Sequence, residues 1–179
     1  MSRHPHLHPL AAALAAGFLA VAAPASASAS GVAGVVRGVA GKVYAHAKVC
    51  VDRNANARCD RNEPAAFSDK AGRFRLAARG ALVAEVGKGA FLVDAATHAK
   101  AAVTRALVLR SPGGADAAAA DIGPLSTELQ AIVDASGSGT TPADADAKMR
   151  ARLGLSGPVT DALASDAGRA ALVAEQASV

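Results

Sequence analysis

The sequence predicts a mainly β domain followed by a small α-helical C-terminal segment. Three observations carry this. Residues 43 to 51 alternate between two kinds of side chain. Short apolar runs separated by turn residues continue to residue 110. After residue 121 the apolar spacing changes from period two to the period of a helix.

The strands come first. In 43–51, Val43, Ala45, Ala47, Val49 and Val51 share one face, and Tyr44, His46, Lys48 and Cys50 the other. That is a half-buried strand, with Gly38 and Gly41 marking a turn into it. "FSDKAGRFRLA" alternates again, Phe74 and Leu76 against Arg73 and Arg75. Asp69-Lys70-Ala71-Gly72 before it is a turn, with Gly where φ > 0 is tolerated. "ALVAEV" (81–86), "AFLVD" (90–94) and "AVTRALVLR" (102–110) read as further strands. Short strands with regular turn signals predict a β-sandwich over 31–110.

The composition of 111–123, beginning "SPGGADAAAAD", is that of a linker. A helical segment, 124–179, follows. Pro124 stands near a helix start, Leu125, Leu129, Ile132 and Val133 form a stripe, and Gly137 is a stop. Thr141 reads as an N-cap before Pro142, with Asp144 three residues on, and Gly154 ends that helix. A third helix is predicted beyond, interrupted around Gly168. We find no internal repeat.

The first 29 residues read as a secretory signal peptide. "MSRHPHLHP" is followed by the apolar run Leu10–Ala23 and then by "PASASAS", whose small residues suit cleavage near Ser28 or Ser30. The run is short for a membrane span, which takes about 20 residues. An uncleaved anchor is the plainer alternative, and no cysteine lies nearby to carry a lipid. The expected location is periplasmic, cell-surface or extracellular, with no transmembrane span in the mature chain. Arg3 is the one charged residue in the signal, so eighteen basic and fifteen acidic residues remain, a formal +3. So small an excess makes no strong case for nucleic acid. The chain has no Trp, one Tyr and four Phe, so the core must be built from Ala, Val and Leu. Such side chains bury little area each, at about 25 cal/mol per Å², and a covalent staple would be useful.

The two cysteines offer one. In an oxidising compartment a pair reads as a disulfide, and Cys50–Cys59 is the only pairing within one chain. Two free thiols or an intermolecular bridge are the alternatives. The same stretch, "VDRNANARCDRNEP", has the oxygen spacing of a calcium loop. With Asp52 as position 1, Asn54, Asn56, the carbonyl of Arg58, Asp60 and Glu63 fall at 3, 5, 7, 9 and 12. Position 6 is Ala57, where such loops favour Gly. Arg53, Arg58 and Arg61 cancel the three carboxylates in formal charge. Weak calcium binding is one expectation, and a solvated turn held by the bridge is the other. No further cofactor is expected.

"GVAGKVYAHAKVCVD" with Ser68-Asp69, Gly72 and Phe74 resembles the carboxypeptidase regulatory-like (prealbumin-like) β-sandwich modules of bacterial exported and surface proteins. The "VCVDRNANARCDRNEP" segment is similar to one found in some of them. The resemblance covers about 36–94, and more loosely 121–155. It implies a noncatalytic accessory or adhesive module of the cell envelope or extracellular space. This chain is shorter than such proteins.

His46 and His98 stand apart from any metal-ligand spacing. No Gly-x-Ser-x-Gly, His-Glu-x-x-His or Gly-x-Gly-x-x-Gly motif occurs, and no catalytic residue is predicted. The basic residues at 53, 58, 61, 70, 73 and 75 suit an anionic glycan, lipopolysaccharide or nucleic acid, with a solvated strand face as the plainer reading; the partners expected of the chain as a whole are envelope components, an anionic glycan or another surface protein. With few aromatics to stack bases, nucleic acid fits least. The rivals in function are a small secreted hydrolase with an unrecognised site and a fragment of a large surface adhesin.

Overall fold

The computed structural model describes residues 31–113, 119–137 and 139–159. The signal segment and the third helix lie outside them. Among the described residues, nine strands form three antiparallel sheets, and two helices follow.

The four-stranded sheet has the order β4-β3-β6-β9: β4 (Ala65–Phe67), β3 (Lys48–Val51), β6 (Leu82–Val86) and β9 (Leu107–Ser111). β1 (Val32–Val35) pairs with β5 (Arg73–Leu76). β2 (Lys42–Ala45), β7 (Phe91–Asp94) and β8 (Lys100–Ala102) make the third sheet. Val36 joins the two smaller sheets, its amide donating to Gly72 and its carbonyl accepting from Tyr44, each at 2.8 Å.

One apolar cluster draws on β1, β3, β5, β6 and β9, including Val49, Val51, Phe74, Leu76, Leu82, Ala84 and Leu109. A smaller one joins Val43, Ala45 and Val93. All five residues assigned by alternation to the inner face of 43–51 are buried, yet they divide between these clusters. The reason is His46, whose φ of +61 breaks the run into β2 and β3. Cys50, placed by alternation on the other face, is fully buried, because a loop covers it. The stretch 102–110 likewise divides, between β8 and β9.

The turn Asp69–Gly72 is as expected. Gly72 has φ +72 and donates its amide to the Asp69 carbonyl at 3.0 Å. A side chain here would be strained by that φ, and its Cβ would lie 2.7 Å from Cβ of Val43.

Residues 119–122 run parallel to β1 through Ala119 and Ile122. The Ile122 amide donates to the Val35 carbonyl at 2.9 Å, and its own carbonyl accepts from Arg37 at 2.7 Å. Beside it, Asp121 accepts from the Val35 amide and pairs with the Arg37 guanidinium.

Helix α1 (Pro124–Ser136) and helix α2 (Pro142–Leu153) start and stop where their caps predict. Thr141 Oγ1 accepts from the Asp144 amide, and the Asp144 carboxylate accepts from the Thr141 amide at 3.0 Å. Leu125, Leu129, Ala145 and Met149 pack between the helices. α1 is tied to β9 through Asp134, which accepts from Arg110 at 2.6 Å and from Gln130 at 2.7 Å. Burial would raise the Asp134 carboxyl, but the bonds from Gln130 and Arg110 outweigh it and hold the group below its ordinary range.

Candidate functional site

The alternation that sends Val49 and Val51 into the core turns Lys48 and Cys50 to the opposite face of the four-stranded sheet. In the ladder Lys48 stands between Phe67 and Glu85, and Cys50 between Ala65 and Val83. The segment from Asp52 to Glu63 folds back over this face.

Cys59 is the point of attachment. Its sulfur is bonded to Cys50, with the Cα atoms 5.5 Å apart. Its backbone amide donates to Glu85 Oε1 at 3.0 Å, and its carbonyl accepts from Lys48 Nζ at 2.9 Å. Lys48 and Glu85 are cross-strand neighbours. Two opposite charges on adjacent strands therefore grip the two peptide groups of one residue. Such charge-assisted bonds are stronger than neutral ones.

Within the loop two of the oxygen-bearing side chains turn inward, while Asn54, Asn56 and the half-buried Asp60 bond to one another nearer the surface. Asp52 and Glu63 are each only 7% exposed. An uncompensated carboxylate at that depth would be costly, and loop amides compensate both. Asp52 accepts from Asn56 at 3.1 Å and from Ala57 at 2.9 Å. Glu63 accepts from Arg53 at 2.7 Å and from Asp60 at 3.0 Å, bridging the two ends of the loop. Asp60 Oδ2 accepts from the side-chain amides of Asn54 and Asn56 at 2.8 and 2.9 Å.

All five of these side chains are thus brought into one bonded set. Among the described residues, no group of three or more His, Cys, Asp or Glu side chains is arranged to hold a metal. Asn54 and Asn56 direct their Oδ1 atoms to the amides of Asn56 and Arg58. A calcium ion would require both to rotate those oxygens toward it.

Ala57 adopts the left-handed conformation that position 6 of a calcium loop favours, with φ +59, and Ala55 does the same at +57. An alanine there costs about 1 to 2 kcal/mol of strain. Ala57→Gly should relieve it, less the extra entropy that glycine loses on folding, about 0.5 to 1 kcal/mol. We expect a net gain of about 0.5 to 1 kcal/mol in urea denaturation. An unchanged or lower midpoint would show that the loop carries no strain at this position.

His46 and His98 occupy positive-φ turn positions. His46 meets the Phe91 ring edge-on at 6.3 Å, and its amide donates to Ser68. Lys48 and Glu85 are the site residues that sequence reasoning missed. Alternation places Lys48 outward, but nothing local says that Glu85, 37 residues on, will lie beside it. Compared with family models, with curated proteins and with solved structures, the chain matches none.

Proposed function

We propose that this chain is an exported, noncatalytic module of the cell envelope or extracellular space. On this reading it is a prealbumin-like β-sandwich whose work is presentation, displaying a stapled loop on a rigid sheet. Calcium binds weakly through Asp52, Asn54, Asn56, the Arg58 carbonyl, Asp60 and Glu63. The observation that carries the reading is the attachment of the loop, by a disulfide and by the Lys48 and Glu85 bonds to Cys59. A buried disulfide suits an oxidising compartment. No helix among the described residues is long and apolar enough to cross a membrane.

The loop is a stapled turn first and a calcium site second. Extracellular calcium modules bind at about 10⁻⁴ to 10⁻³ M. With a Kd of about 0.3 mM, 1 mM calcium adds about 0.9 kcal/mol. Thermal melts of wild type, Glu63→Gln and a cysteine-free variant, each with calcium or chelator, test the order. We expect a small calcium gain in wild type and none in Glu63→Gln. A chelator effect larger than that of removing both cysteines would instead mean a metal-dependent fold. No calcium effect in wild type would leave the staple alone.

A further inference from the structure

The formal neutrality of the loop hides a separation of charge. Asp52 and Glu63 are buried against backbone amides and Asp60, half-buried, accepts from Asn54 and Asn56, whereas Arg53, Arg58 and Arg61 are exposed. Their guanidinium groups make no ion pair or hydrogen bond among the described residues. What the loop turns to solvent is cationic.

The same separation runs through the chain. Residues 31–113 hold fourteen basic and six acidic residues, a formal +8, while 114–179 hold four basic and nine acidic, a formal −5. Each of the six acids accepts from a backbone amide or from asparagine: the three of the loop, Asp69, Glu85 and Asp94. The ion pairs made by arginines of this region, Arg37–Asp121 and Arg110–Asp134, both reach acids of the later segment. Among the described residues, no salt bridge joins a basic group of 31–113 to an acid of the same region; the opposite charges that do meet there are the cross-strand neighbours Lys42 and Asp94, and Lys48 and Glu85.

We propose that the outer surface of the 52–63 loop binds an acidic polysaccharide through Arg53, Arg58 and Arg61. This deepens the display reading and rests on it. Guanidinium groups form forked hydrogen bonds with carboxylates, which a compact ammonium cannot. Phe67, opposite Lys48 in the ladder and 68% exposed, offers an apolar face for a sugar ring beside the loop. Arg73 and Arg75 point away from the core on β5, which contributes Phe74 and Leu76 to the same cluster as Val49 and Val51. Cations on both sides of one core suit a flexible polymer that wraps more than a flat lipid surface. A single-strand nucleic-acid groove would place several aromatic platforms in series, and the whole chain has no Trp and one Tyr.

The test uses the full chain and polygalacturonate in titration calorimetry at low salt. Wild type is compared with the triple variant Arg53→Gln/Arg58→Gln/Arg61→Gln and with the control Lys88→Gln/Lys100→Gln/Arg105→Gln. Both variants remove the same formal charge from exposed positions. We expect the loop variant to bind roughly tenfold more weakly and the control less than threefold, with binding weakened by salt because the Debye length is about 10 Å at 0.1 M. Equal losses in the two variants would mean diffuse attraction and overturn the assignment to the loop. Tighter binding to single-stranded DNA or to phosphatidylglycerol vesicles would overturn the occupant. No binding of polygalacturonate would overturn the proposal, while the calcium and cysteine melts would still judge the display reading separately.

Discussion

Replacing both cysteines, as Cys50→Ala with Cys59→Ala, is expected to lower stability by about 2.7 kcal/mol on the chain-entropy estimate for so short a loop. At about 3 °C per kcal/mol for a chain of this size, the melting temperature should fall by roughly 8 °C. Alanine is preferred to serine because Cys50 is fully buried and a hydroxyl there would need a partner. A second readout localises the effect. Arg53, Arg58 and Arg61 are sites for trypsin, and in the oxidised protein the loop that carries them is held at Cys59. Native-state trypsin should cut there much faster in the variant. Fast cutting of the oxidised wild type would show that the bridge does not hold the loop shut.

Ile122→Ala is expected to cost about 3 kcal/mol, within the usual range of about 2 to 5 for deleting a buried large side chain. Ile122 is fully buried in the main core, and its two backbone bonds hold the chain against Val35 and Arg37 just before α1. Gly34 has no side chain because a Cβ there would run into the Ala120 carbonyl, so this contact is backbone on backbone. Ile122→Val should cost only about 0.5 to 1.5 kcal/mol. Denaturant midpoints measure both. Equal effects of the two substitutions would mean that the cavity is not what matters at this position.

The parts of the fold legible in the sequence are those set by neighbours in the chain. The strands around Phe74, Leu82 and Val93 carry their own alternation or apolar run, and the helices carry their own caps, from Thr141 to Gly154. Misread elements depend on partners far away. Alternation alone runs one continuous strand through His46, because histidine gives no warning of a positive φ. β4 is only three residues long and exists because Ala65 to Phe67 can pair with β3. Ile122 lies in a stretch whose alanine-rich composition does not mark it as buried.

The candidate site divides in the same way. The spacing of Asp52, Asn54, Asn56, Asp60 and Glu63 announced that their oxygens would gather, and they do share one bonded set. Counting charges suggested that the arginines would cancel the carboxylates. Formal charge has no direction, and the fold buries Asp52 and Glu63 while it leaves the three arginines exposed. Ala57 lacks the freedom of the glycine such a turn favours, yet the loop imposes the left-handed conformation on it.

The grip of Lys48 and Glu85 on Cys59 bears on how the bridge is made. Both residues belong to strands whose pairing does not depend on sulfur. A reduced chain that kept this strand pairing and these two bonds would hold the Cys59 backbone beside Cys50. The thiols then meet as neighbours, at an effective concentration far above that of any thiol in solution. A mixed disulfide formed at either sulfur would be displaced by the adjacent one. Oxidation becomes the sealing of an arrangement the sheet has already made, and with only two cysteines there is no wrong partner within the chain to correct.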